Sequence, residues 1–133
     1  MDGRRAIDDW LEDIVHWGER LARHIGGMTR EQFMLDEKTQ DASAKCAEAI
    51  GEAAGEILRI EPDFDSRNPE LQLKAANKSR NRLSHGYYSI DLWLLWNTIA
   101  TSVPATLIAA KQILGTRASQ SDRKQNDGGS DDA

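Results

Sequence analysis

An all-α fold, an antiparallel bundle of four to five helices, is what this sequence predicts. Three observations predict it. Apolar residues recur at steps of three and four over most of the chain, and nothing reads as a strand. Proline is scarce, at 3 of 133 residues, while Ala, Glu, Leu and Ile are plentiful. The helical stretches are joined by short connections, which favours antiparallel neighbours. With 39% apolar residues and four tryptophans the chain can bury one modest core, so a single domain is expected.

The first helix is expected over residues 4–26. Its stripe is Ile7, Leu11, Ile14, Gly18, Leu21 and Ile25, a heptad-like face turned toward other helices. Gly18 in that stripe would let a neighbouring backbone come close, and Gly26-Gly27 stops the helix. Thr29-x-x-Gln32 has the form of a capping box opening a short segment through Phe33 and Met34. A second long helix, about 37–60, carries the stripe Cys46, Ile50, Ala53, Ile57 and Ile60. So many small residues imply close packing. Glu61-Pro62-Asp63-Phe64-Asp65 breaks it. Asn68 as N-cap and Pro69 in the first turn predict a helix running to about Leu83. Ser89 or Asp91 then caps a final helix over 91–114, with Leu92, Trp96, Ile99, Val103 and Ile113 as its stripe and a kink at Pro104. From Gly115 onward no large apolar residue occurs, so 1–114 reads as the folded domain and 115–133 as a disordered tail. Trp10, Val15 and Trp17 widen the apolar face of the first helix beyond what a small bundle needs, which makes a homodimer plausible.

The single Cys46 cannot form an internal disulfide and reads as a small buried hydrophobe. The N-terminal stretch is too charged for a signal peptide, and no apolar run approaches the roughly 20 residues that a membrane span needs. A cytoplasmic protein with no membrane partner is the expectation. The net charge of −5 argues against a general nucleic-acid coat protein, but its distribution matters more. Residues 1–70 carry 17 acidic and 9 basic side chains, whereas no Asp or Glu lies between Glu70 and Asp91. Lys74, Lys78, Arg80 and Arg82 fall inside that acid-free stretch, although charge runs are more often simply solvated helix faces.

Within it lies Ser79-Arg80-Asn81-Arg82-Leu83-Ser84-His85-Gly86-Tyr87-Tyr88. In a continuing helix Arg80 and His85 would lie about 140° apart. With Gly86 reversing the chain, His85 and Tyr87 can fold back toward Arg80. A guanidinium can fork onto a phosphate. An imidazole can take or give a proton near neutral pH. A tyrosine hydroxyl can hydrogen-bond either of them. These are the parts needed to cut RNA without a metal: a base takes the 2′-hydroxyl proton, that oxygen attacks the adjacent phosphate, and a cation stabilises the developing charge. A His that merely complements a helix dipole is the commoner use of the same residues. Elsewhere Glu12 and His16 stand one turn apart without a third ligand and read as a solvated face. His24 reads as a helix-terminal cation. Trp93 and Trp96 read as core or dimer interface, and Tyr88 as a packing residue.

Arg80-x4-His85-x-Tyr87, with Asn81 after the arginine, resembles the motif of the HEPN superfamily, and more narrowly that of the HepT-like ribonuclease toxins. Lys38-Thr39-Gln40-Asp41-Ala42, Ile50-Gly51-Glu52-Ala53-Ala54, Pro69-Glu70-Leu71 and Tyr88-Ser89-Ile90-Asp91 fit as flanks, so the resemblance spans about residues 4–114. Where members often carry Pro-Trp this chain has Gln72-Leu73, and before the motif it has the more polar Asn77, Lys78 and Ser79. What the resemblance implies is a dimer of helical bundles whose two motifs meet to form an RNA-cleaving cleft, with no cofactor. It implies Arg80 and His85 as the catalytic pair, and Asn81, Arg82 and Tyr87 as phosphate-binding or positioning residues. It also implies a type VII toxin–antitoxin pair, in which an MntA-type minimal nucleotidyltransferase transfers AMP from ATP onto Tyr87. A non-catalytic HEPN module that binds RNA or nucleotide, or docks a nucleotidyltransferase, is the alternative.

Overall fold

The computed structural model describes residues 3–84 and 91–131, and the side chains of 7–80 and 91–120. Its elements are helices α1 (Gly3–Ile25), α2 (Arg30–Met34), α3 (Glu37–Ile60) and α4 (Phe64–Arg67), a 3₁₀ turn (Pro69–Leu71), then α5 (Leu73–Ser84), α6 (Leu92–Asn97), a π turn (Thr98–Ser102) and α7 (Val103–Asp131). No strand occurs among the described residues. The chain is an all-α bundle.

The long helices form where the apolar period dictates. Ile7, Leu11, Ile14 and Leu21 of α1 are buried against α3, whose Cys46, Ile50, Ala53 and Ile57 are buried in return. Each fully buried aliphatic side chain contributes about 1.5–3 kcal/mol. Gly26 ends α1 in a left-handed conformation, at φ 52°. The capping box at Thr29 is formed: the Gln32 amide donates to Thr29 Oγ1 at 3.2 Å, and the Thr29 amide to Gln32 Oε1 at 2.9 Å. In the centre of the bundle α3 touches α1 on one side and α5 on the other, while α7 lies along α1 and over the 3₁₀ turn. The α1–α7 pairing is antiparallel: Gly18 faces Leu107, Glu19 pairs with Lys111 at 3.2 Å, and Asp8 pairs with Arg117.

Asp36 caps α3, accepting from the Thr39 amide at 3.0 Å, and that bond holds its carboxyl below the usual aspartate range. A depressed folded pKa means stability that is in place above the unfolded pKa and is lost as pH falls through the folded one. Asp36→Asn keeps a capping oxygen but no titration. The melting-temperature difference between the two proteins is therefore expected to shrink as pH falls from about 5 to about 2. Melting curves over that range check it.

Several elements depart from the sequence expectation. The helix expected to begin at Asn68-Pro69 makes only one 3₁₀ turn there. Gln72 then adopts φ 54°, and α5 starts at Leu73. The cap is supplied from eight residues upstream, where Asp65 Oδ1 accepts from the Leu73 amide at 2.8 Å, while Asn68 Nδ2 instead donates to the Phe64 carbonyl. Thr106 Oγ1 of α7 donates to the Leu71 carbonyl at 2.9 Å, satisfying an acceptor that a continuous helix would have used itself. The final helix does not simply kink at Pro104. Its ring has no N–H to offer the turn before it, and the chain widens there into the π turn at Thr98–Ser102. Beyond Gly115 the helix runs on to Asp131 through the stretch whose composition suggests disorder, and the Asp8–Arg117 pair ties its first part to α1. The expectation that no segment is long and apolar enough to span a membrane also fails. Leu92–Gln120 passes that test by length and composition, because the polar residues among its apolar ones are uncharged Asn, Thr and Ser until Lys111. Its Leu95, Ile99, Val103, Ala109 and Ala110 form a wall of the core.

Candidate active site at the end of α5

Arg80 reaches its place through a close helix crossing. Gly51 and Gly55, one turn apart on α3, face α5. A methyl group on Gly51 would stand 2.5 Å from Arg80 Cβ and 2.7 Å from the Ala76 carbonyl oxygen. One on Gly55 would stand 2.6 Å from Asn77 Oδ1. The two helices thus meet backbone to backbone, and the root of half-buried Arg80 rests on α3. Ser79, its neighbour, lines a cleft with Ile50, Gln72, Thr98 and Ser102. Further back on α5, Lys74 and Lys78 are exposed, and neither is ion-paired among the described residues. Lys74, Lys78 and Arg80 thus share one helix, in a stretch without acidic residues, on an otherwise acidic chain.

Asn81 and Arg82 belong to the last described turns of α5, but their side chains lie outside the described residues. Since α5 stays regular through Ser84, positions 80 and 82 lie about 160° apart around its axis. His85, Gly86, Tyr87, Tyr88 and Ser89 lie outside the described residues.

The other sequence candidates separate cleanly. Cys46 is buried, and burial pushes its thiol up, so it behaves as a core residue. Glu12 and His16 are exposed on α1, with the His16 ring edge-on to Trp17 at 5.1 Å. His24 is exposed in the last turn of α1. Trp96 packs on Phe33, ring centres 5.3 Å apart. Trp93 instead stays 59% exposed with the Arg30 guanidinium 5.0 Å over its ring, so these two tryptophans do not share one role. The Gly51–Gly55 pair had a signal in the sequence, a G-x3-G spacing on a small-residue helix. That Arg80 would be the side chain resting on it did not.

A helical bundle bearing a basic helix end and an Arg-x4-His-x-Tyr run defines a class, and comparison with known proteins agrees: residues 15–113 match the model of the family Ribonuclease HepT-like, and the chain belongs to that family. It is 32% identical over 102 residues to the "Probable ribonuclease HepT" of Thermococcus cleftensis, covering 77% of this chain and 90% of that one. A protein of Methanocaldococcus jannaschii, described as a candidate RNase, is 26% identical over 111 residues, covering 84% and 89%. Another, from Caldanaerobacter subterraneus, is 27% identical over 105 residues, covering 79% and 91%. No solved structure matches the chain.

Proposed function

We propose that this protein is a metal-independent endoribonuclease, the toxin of a type VII toxin–antitoxin pair acting in the cytoplasm. The observation that carries the reading is an arginine seated on the α3–α5 crossing, five residues before a histidine, in a chain of the HepT-like family. Arg80 binds the scissile phosphate and offsets the charge that grows on it. His85 acts as acid or base: the 2′-hydroxyl loses its proton, its oxygen bonds to phosphorus, the bond to the 5′-oxygen breaks, and that oxygen takes up a proton. Asn81 positions one of these partners, and Arg82 holds a neighbouring phosphate. Tyr87 assists at the phosphate and is the point of control. AMP transferred to it by an MntA-type nucleotidyltransferase places negative charge against Arg80 and closes the site. A homodimer fits the surface. Only 28% of the most apolar window of Leu92–Gln120 is buried, and a groove of about 290 Å³ between α1 and α7, lined by Leu21, Ile25, Ile99, Pro104 and Leu107, stands open.

The test is incubation of unmodified protein with RNA in EDTA, followed by end-group analysis. Products with 2′,3′-cyclic phosphate and 5′-hydroxyl ends are expected. Their loss after treatment with ATP and the nucleotidyltransferase, but not when Tyr87→Phe is treated in the same way, would support Tyr87 as the control point. Intact protein that leaves RNA uncut but still binds it would point to the non-catalytic HEPN module.

A further inference from the structure

We propose that Gly51 is a positioning residue for the reaction: by lacking a side chain it sets how far the root of Arg80 stands from α3, and hence where the guanidinium is delivered. The inference rests on reading Arg80 as the phosphate-binding cation. What a side chain at Gly51 would meet is the Ala76 carbonyl oxygen at 2.7 Å and Arg80 Cβ at 2.5 Å, distances well inside van der Waals contact. One of these atoms is backbone and the other is bonded directly to it, so neither can rotate aside. Relief comes only by moving α5 away from α3. The start of α5 cannot follow freely, because Leu73 is fully buried, its amide is held by Asp65, and the Leu71 carbonyl just before it is held by Thr106. Displacement therefore concentrates toward the far end of the helix, where Arg80 stands.

Gly55 supplies the internal comparison. A methyl group there meets Asn77 Oδ1 at 2.6 Å, the far end of a side chain that can turn away. If the two glycines mattered only as a close-packed seam, substituting either would have similar consequences. Positioning makes the outcome lopsided.

The experiment compares wild type, Gly51→Ala, Gly55→Ala and Arg80→Ala on one RNA oligonucleotide in EDTA. It determines kcat and KM separately, with melting curves and circular dichroism giving the folded fraction. Gly55→Ala is expected within about threefold of wild type. Gly51→Ala is expected to lose about 100-fold in kcat at unchanged KM and wild-type helix content, the effect of moving a catalytic group by about an ångström. Wild-type kcat in Gly51→Ala, equal losses in both glycine variants, or a loss no larger than the unfolded fraction would overturn the inference. So would a Gly51→Ala protein that does not fold, since α5 would then be unable to relieve the clash by moving. Wild-type protein that leaves RNA uncut would overturn the ribonuclease reading itself, and Arg80→Ala that cuts as fast as wild type would overturn the phosphate-binding role of Arg80. The controls thus separate the two failures.

Discussion

Arg80→Ala and His85→Ala are each expected to abolish most RNA cleavage while leaving the fold in place. For His85 the expected loss is about 10²–10⁴-fold in kcat, the usual contribution of a positioned acid or base. For Arg80 it is about 10²–10³-fold, that of a group aimed at developing charge. Arg80→Ala keeps the Cβ that rests on Gly51, so the close helix crossing is expected to stay in place. Its melting temperature should therefore stay within a few degrees of wild type. Arg80→Lys restores the charge but not the planar fork, so it should recover only part of the rate. Initial rates beside melting curves check all three. A rate near wild type in either alanine variant, with protein fully folded, contradicts the assigned roles.

Phe33→Ala is expected to destabilise the core by about 3–5 kcal/mol. Phe33 is fully buried, although it belongs to the five-residue α2. Its ring meets Trp96, and its carbonyl accepts from Gln40 Nε2 of α3 at 2.9 Å. The residue thus joins α2 to α3 through its carbonyl and to α6 through its ring, and truncating the ring leaves a cavity in the core. A drop of roughly 10 °C or more in melting temperature should follow. A drop of only a degree or two would mean that α2 collapses onto the gap at little cost. Activity measured well below the new midpoint should be retained, since Phe33 takes no part in the proposed chemistry.

The periods of three and four in α1 and α3 made those helices legible from the chain alone, as did the local punctuation at Gly26, Thr29-Gln32 and Glu61-Pro62. What was not legible depends on partners far away in sequence. The late start of α5 follows from Asp65 reaching Leu73 and Thr106 reaching Leu71. Pro104 announced an irregularity, yet not that a π turn would absorb it. The helix beyond Gly115 owes its first turns to a partner on α1, which composition cannot reveal. For the site, residue chemistry and family resemblance picked out Arg80, His85 and Tyr87. Spacing alone could not say that Arg80 is seated on a bare stretch of α3 backbone, because a G-x3-G pair names a close approach without naming what approaches.

The most direct measurement uses one RNA oligonucleotide with a single cleavage site and its twin carrying a 2′-deoxy sugar at the nucleotide 5′ to the cleaved bond. Both are incubated with wild-type protein in EDTA. If the 2′-hydroxyl is the nucleophile and this chain's own residues carry the proton and the charge, the first is cut at that bond and the second is left intact there. Equal cutting of both, or cutting that appears only when a divalent metal is added, would contradict the account.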